Sequence, residues 1–194
     1  RRDAHGYFWL VGRKKELIIR GGHNIDPRII EDALAAHPAV ALAAAIGRPD
    51  AHAGELPVAY VQLKAGASAD EAALLAFAAD AIAERAAVPK HVRILEAVPT
   101  TAVGKIFKPQ LQRLEIADVV AACARDAQVA LERVDVVQDA RRGLVAQVAV
   151  RGAREALAER LARYAFPVDW SGDGAHARAS EAQRDAAAAR ERAS

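Results

Sequence analysis

The stretch Gly12 to Pro27, GRKKELIIRGGHNIDP, decides how the front of this 194-residue chain folds. Arg13, Lys14 and Lys15 gather three cations at a turn, and Leu17 to Ile19 supply apolar, strand-forming residues. The pair Gly21-Gly22 admits positive φ or a close approach of the backbone to a ligand. Asp26 followed by Pro27 is an N-cap with proline at the first helical position, which predicts a helix from Pro27 to Ala35. Two readings fit the run: a β-hairpin entering a helix with solvated lysines at its turn, or a phosphate or ligand site.

Working outward, Tyr7 to Val11 is expected as a strand, Gly12 to Glu16 as a tight turn, and Leu17 to Arg20 as the antiparallel partner. Phe8 and Trp9 alternate on that strand, one toward the core. His37-Pro38 ends the first helix. Val40 to Ile46 and Leu56 to Leu63 are then two strands joined by the loop GRPDAHAGE. Ser68 with Glu71 forms a capping box for a helix running to about Ala86, with Leu74, Leu75, Ala78 and Ile82 facing inward and Pro89 as its breaker. Val92 to Leu95 gives another strand, Pro99 to Gly104 a loop presenting Lys105, and Pro109 to Leu114 a short helix. The fold class is α+β, a small sheet covered by helices.

Composition sets the outer bounds. Hydrophobic residues make up 53%, enough for a core, although alanine dominates and aromatics are 5%. The formal net charge is +2, so no global field calls for nucleic acid or an acidic membrane. The single cysteine, Cys123, excludes an internal disulfide, suits a cytoplasmic location and fits a small buried apolar residue better than a reactive thiol. The longest apolar run, Ala39 to Gly47, is too short to span a bilayer, and no signal peptide is present. His5, His37, His52, His91 and His176 are scattered without metal-ligand spacing, so no metal residues are assigned. The chain lacks methionine and opens on Arg-Arg-Asp in mid-pattern, so it is expected to be a fragment.

A second motif, PTTAVGKIFK from Pro99 to Lys108, carries a lysine directly after a glycine. It is not a Walker A loop, which needs glycine where Pro99 stands and Ser or Thr where Ile106 stands. In this order and at this separation the two motifs resemble the C-terminal lid domain of the adenylate-forming enzymes, over roughly residues 1–113. GGHNIDP and GKIFK are similar to the acyl-CoA and aryl-CoA ligase branch. The resemblance implies an ATP-dependent carboxylate–CoA ligase for a fatty or aromatic acid, which forms an acyl-adenylate and then a thioester with CoA.

By the same resemblance Lys105 is the catalytic lysine, Arg13 contacts the ribose of the nucleotide, and Lys15 is the hinge about which the domain rotates. Gly21, Gly22, His23 and Asn24 shape the pantetheine tunnel for CoA, and Arg20, Lys14 and Lys90 are candidate contacts for CoA phosphates. The cofactors implied are ATP, CoA and Mg2+, the last held mainly through an N-terminal adenylation domain, which is also the expected partner. The acid pocket belongs to that domain, so the acid itself is not legible. Lys105 has a physical rationale as well. Joining a carboxylate to the α-phosphate of ATP brings two anions together, and an ammonium on a long stem is a point charge suited to that place. Acetylation of the matching lysine would remove this charge. The competing reading is a non-catalytic module that binds nucleotide phosphate or a protein.

Beyond Arg113 the resemblance fades. Ile116, Val119, Val120 and Cys123 fall at helical spacing, Leu131 to Gln138 and Leu144 to Val150 are strands about a turn at Asp139 to Gly143, Ala153 to Tyr164 is a helix, and Phe166 to Trp170 a closing strand. Residues 114–170 thus form a smaller α-β-β-α-β extension with no clustered acid, base or nucleophile, a packing or homodimerisation module. Residues 171–194 have few large apolar side chains and are expected as a disordered tail.

Overall fold

The computed structural model describes residues 16–171. The strand expected at Tyr7 to Val11, the cations Arg13, Lys14 and Lys15, and the tail after Ser171 lie outside the described residues. The elements run β1 (Ile18–Arg20), β2 (His23–Ile25), α1 (Pro27–Ala35), β3 (Val40–Asp50), β4 (Gly54–Leu63), α2 (Glu71–Ala81), β5 (Val92–Ile94), α3 (Lys108–Asp126), β6 (Ala130–Asp139), β7 (Gly143–Arg151), α4 (Glu155–Leu161) and β8 (Val168–Trp170). They divide into two units at Glu115/Ile116.

In the first unit the sheet order is β2-β1-β4-β3, with β5 added parallel to β4. Gly21 and Gly22, at φ +54° and +86°, form the two-residue turn between β1 and β2, in which Arg20 faces His23 and Ile19 faces Asn24. Both central residues at positive φ is the turn whose twist matches paired strands. α1 starts as the sequence indicates: Asp26 caps it by accepting from the Arg28 amide at 3.0 Å, with Pro27 following. Ile30 and Leu34 are its buried face.

The first unit buries both faces of its central hairpin. Ala43, Ala45, Ala59 and Val61 pack with Ile30, Leu34 and Leu74, whereas Ala44, Ile46, Val58 and Tyr60 pack with Val98 and Leu111. Strand side chains alternate between faces, so covering both faces makes each strand a run of consecutive buried residues rather than an alternating one.

Four expectations need correction here. The nine-residue loop GRPDAHAGE is mostly strand: β3 and β4 pair down to Asp50 and Gly54, leaving Ala51 to Ala53 as the turn. Asp50 accepts from the amides of His52 and Ala53 at 2.9 and 2.7 Å, which makes so short a turn possible. The cap of α2 is Asp70, which accepts from the Ala73 amide at 2.7 Å, not Ser68. α2 stops at Ala81, five residues short of Ala86, because Ile82 turns extended and buries its side chain. Finally, Pro109 to Leu114 and Ile116 to Cys123 belong to one 19-residue helix, α3.

In the second unit the sheet order is β6-β7-β8, with β8 parallel to β7. Val119, Val120 and Cys123 of α3 pack with Ala146, Val148, Leu157 and Leu161. Cys123 is buried among them, its Sγ 3.6 Å from the Tyr164 hydroxyl. The expected α-β-β-α-β order is present, and it repeats α1-β3-β4-α2-β5 of the first unit. The hairpin turns match in length and in their Asp, Ala and Gly positions. Asp50-Ala-His-Ala-Gly54 has its counterpart in Asp139-Ala-Arg-Arg-Gly143, with the aspartate capping two amides and the glycine at φ +77° and +80° respectively.

Candidate active site

Lys105 stands on a tight hairpin closed by three backbone hydrogen bonds, two of which make its bridge. Thr100 and Ile106 form a bridge, the Phe107 amide donates to Pro99 O at 2.7 Å, Thr101 N to Lys105 O at 2.7 Å, and Gly104 N to Thr101 O at 2.8 Å. The Thr101 hydroxyl accepts from the Lys105 amide at 3.2 Å. Ile106 points into the apolar cluster of Tyr60, Val98 and Leu111, and the neighbouring Lys105 side chain is exposed. Val103 at the tip is 78% exposed.

The two lysines of GKIFK have different fates. Lys108 pairs with Glu31 of α1 at 2.7 Å, and that same carboxylate oxygen accepts from the Ala45 amide at 2.9 Å. Among the described residues no acidic side chain engages Lys105. Lys105 is exposed, and Lys108 is tied into the fold.

Lys105 borders a cleft of about 800 Å³ in the first unit, lined also by Arg28, Glu55, Thr101, Lys108 and Gln112. A second cleft of about 750 Å³ brings together Arg20, Gly21 and His23 with Arg85 and Lys90. Four residues that the sequence reading associates with CoA thus share one basic depression. Gly22 and Asn24 do not line it. Arg20 is held in place by donating to Ala86 O at 2.7 Å. Arg85 was missed, because nothing in a lone arginine near a helix end distinguishes it from a solvated one. At Gly21, Gly22 and Gly104 the need for glycine is positive φ, not crowding: no atom of the described residues lies within 4 Å of where a Cβ would stand. Arg13, Lys14 and Lys15 lie outside the described residues.

The sequence also gave no signal for Glu115, a completely buried carboxylate on α3. Its Oε1 accepts from the Tyr60 hydroxyl at 2.5 Å and lies 3.0 Å from His91 Nε2, while Oε2 takes Arg48 Nη1. Burial pushes its pKa up; the hydrogen bonds from His91 and Tyr60 and the charge of Arg48 outweigh burial and hold it at about 2. Among the described residues no group of three or more His, Cys, Asp or Glu is placed to hold a metal ion.

Residues 29–105 match the family described as AMP-binding enzyme C-terminal domain. The marinolic acid–CoA ligase of Pseudoalteromonas sp. (strain SANK 73390) is 45% identical over 167 residues, covering 82% of this chain and 25% of the relative. The sulfoacetate–CoA ligase of Cupriavidus necator is 46% identical, covering 57% and 21%, and the long-chain-fatty-acid–CoA ligase of Bacillus subtilis 44% identical, covering 56% and 19%. Among solved structures, ATP-bound MatB of Rhodopseudomonas palustris superimposes with a TM-score of 0.53 at 35% identity, over 59% of this chain and 22% of that one. The amide bond synthetase McbA of Marinactinospora thermotolerans gives 0.50 at 32% identity, over 57% and 22%. The chain thus spans about a fifth to a quarter of the length of these relatives. Coverage of 82% exceeds what residues 1–115 hold, so the likeness to the marinolic acid ligase continues into the second unit.

Proposed function

Because the chain carries the C-terminal domain of the adenylate-forming, AMP-binding enzymes, we propose that it is the lid of an ATP-dependent carboxylate–CoA ligase and works through Lys105. The observation that carries this is the exposed Lys105, held on a rigid hairpin and without an acidic partner among the described residues, beside the committed Lys108. When carboxylate and α-phosphate meet, a fixed cation between their oxygens lowers the cost of bringing the anions together, most of all once water is excluded. In the first half-reaction the carboxylate oxygen attacks the α-phosphorus, the acyl-adenylate forms and pyrophosphate leaves. The pyrophosphate needs no proton from this chain.

For the second half-reaction we assign the basic cleft of Arg20, Gly21, His23 and Lys90 to CoA, joined by Arg85. The cluster of cations suits phosphate groups, and the exposed edge of the Gly21-Gly22 turn leaves room for a thin pantetheine arm. Thiolate attack on the acyl carbonyl then expels AMP. The domain would turn about Lys15 between the two steps, with Arg13 on the ribose. Mg2+ would travel with the ATP phosphates, held by them and by the adenylation domain. The extension, residues 114–170, is proposed as a packing or homodimerisation module. The setting we propose is the cytoplasm; no helix among the described residues is long and apolar enough to cross a membrane.

Pyrophosphate release by the full-length enzyme across a panel of carboxylic acids, with and without CoA, tests the proposal. Acid-dependent release, followed by CoA-dependent thioester, is expected. Acid-dependent release followed by amide formation with an amine, and no thioester with CoA, would instead align the enzyme with the amide bond synthetase. No acid-dependent release across short, fatty and aromatic acids would refute the ligase reading.

A further inference from the structure

From the buried network on α3 we infer that Glu115 is a positioning residue for Lys105, setting the register of the helix that carries the lysine hairpin; this rests on the ligase reading above. The hairpin has two anchors. On its upstream side the Val98 amide donates to Gln62 Oε1 at 3.0 Å, and Val98 is buried. On its downstream side the chain passes within one residue of the Pro99–Phe107 clamp into α3, so the orientation of α3 decides where Lys105 points.

Lys108, Leu111 and Glu115 recur at three- and four-residue spacing, which puts them on one stripe of α3. Together they engage α1 and the β3-β4-β5 side of the sheet. Lys108 pairs with Glu31 of α1, Leu111 fills the cluster around Tyr60, and Glu115 takes hydrogen bonds or charge from Arg48 of β3, Tyr60 of β4 and His91 just before β5. Leucine packing alone tolerates rotation and sliding, because apolar contacts are not directional. A buried carboxylate is different. Turning α3 by one residue, about 100°, would leave Glu115 charged and unpaired in the interior, a state far costlier than a shifted leucine. The single arrangement that satisfies Arg48, Tyr60 and His91 together also fixes the hairpin. Glu115 does not touch the reacting groups; it acts through α3.

The test separates the half-reactions in the full-length enzyme. Glu115→Gln keeps the size and one acceptor but loses the charge. It should slow pyrophosphate release on the order of 10- to 100-fold in kcat, the scale of an ångström-level misplacement. Thioester formation from supplied acyl-adenylate, which does not use Lys105, should stay within about twofold, since no interaction of that step is touched. Tyr60→Phe, which removes one hydroxyl, should give a smaller loss in the same half-reaction and guards against a Glu115→Gln protein that fails to fold. Equal losses in both half-reactions would reduce Glu115 to a stability role, and unchanged pyrophosphate release in both variants would overturn the inference outright. Lys105→Ala measured in parallel keeps the two claims apart: if that variant still releases pyrophosphate at the normal rate, the reading of Lys105 fails and the positioning role fails with it.

Discussion

Two lysines three residues apart have different surroundings, one paired within the fold and one exposed. Lys108 is about four-fifths buried and shares Glu31 with a backbone amide of β3, so its charge is spent on the fold. Lys105 has no such commitment among the described residues. Lys108→Ala should therefore lower stability by about 1–3 kcal/mol, because it leaves the mostly buried Glu31 carboxylate without its charge partner, and leave pyrophosphate release within a few-fold of the parent. A complete loss of that activity in a folded Lys108→Ala enzyme would mean the assignment of roles is reversed. Gly22 is constrained differently. At φ +86° it sits where a side chain is strained, so Gly22→Leu should cost about 1–3 kcal/mol and selectively depress thioester formation. Thermal melts and half-reaction assays on one preparation check both, and normal thioester formation by the variant would remove this turn from the acceptor site.

Among the elements, what could be read from sequence was whatever local chemistry decides. Asp26-Pro27 announces α1 because cap and proline act within one turn, and the Gly21-Gly22 pair announces a reversal because few other residues reach positive φ. What the reading missed was decided by contacts distant in sequence. Gly47, Pro49, Asp50 and Gly54 look like a loop, yet they pair as strand. β3 is the edge of its sheet, where Pro49 forfeits no ladder bond, and Pro57 falls in the interval of β4 between its pairings with β1 at Gly54 and β5 at Ala59. The alanines after Ala81 have strong helical propensity, but burying Ile82 overrides it. Glu115 was invisible because its partners come from three other segments. It also makes α3 sensitive to acid. Its folded pKa of about 2 lies below the ordinary 4.5, so its contribution to stability is fully present above pH 4.5 and is lost as pH falls toward 2. Urea midpoints of the chain should fall between pH 5 and pH 3 more steeply for the parent than for Glu115→Gln. Parallel curves would show that the carboxylate is not coupled to folding.

At the scale of the molecule, one topology appears twice. An α-β-β-α-β order with the same Asp-Ala-x-x-Gly turn builds both units, and the functional residues assigned among the described residues fall in the first. The repeat is faint in the sequence because only the Asp, Ala and Gly of the turn are shared; the strands on either side keep their apolar faces and little else. The identity of the acid is absent from both units. Relatives named for sulfoacetate and for long-chain fatty acids match this domain about equally, which is what a lid common to many acid pockets would show. Under the proposed function, the substrate-neutral part of the reaction, charge stabilisation during adenylation, is what this chain would supply. Its direct test is pyrophosphate release by the full-length enzyme carrying Lys105→Ala, set beside thioester formation from supplied acyl-adenylate. Loss of the first by about 100-fold or more, the scale of removing a transition-state charge partner, with the second largely intact is the result this account predicts. Undiminished pyrophosphate release, or equal loss of both, would contradict it.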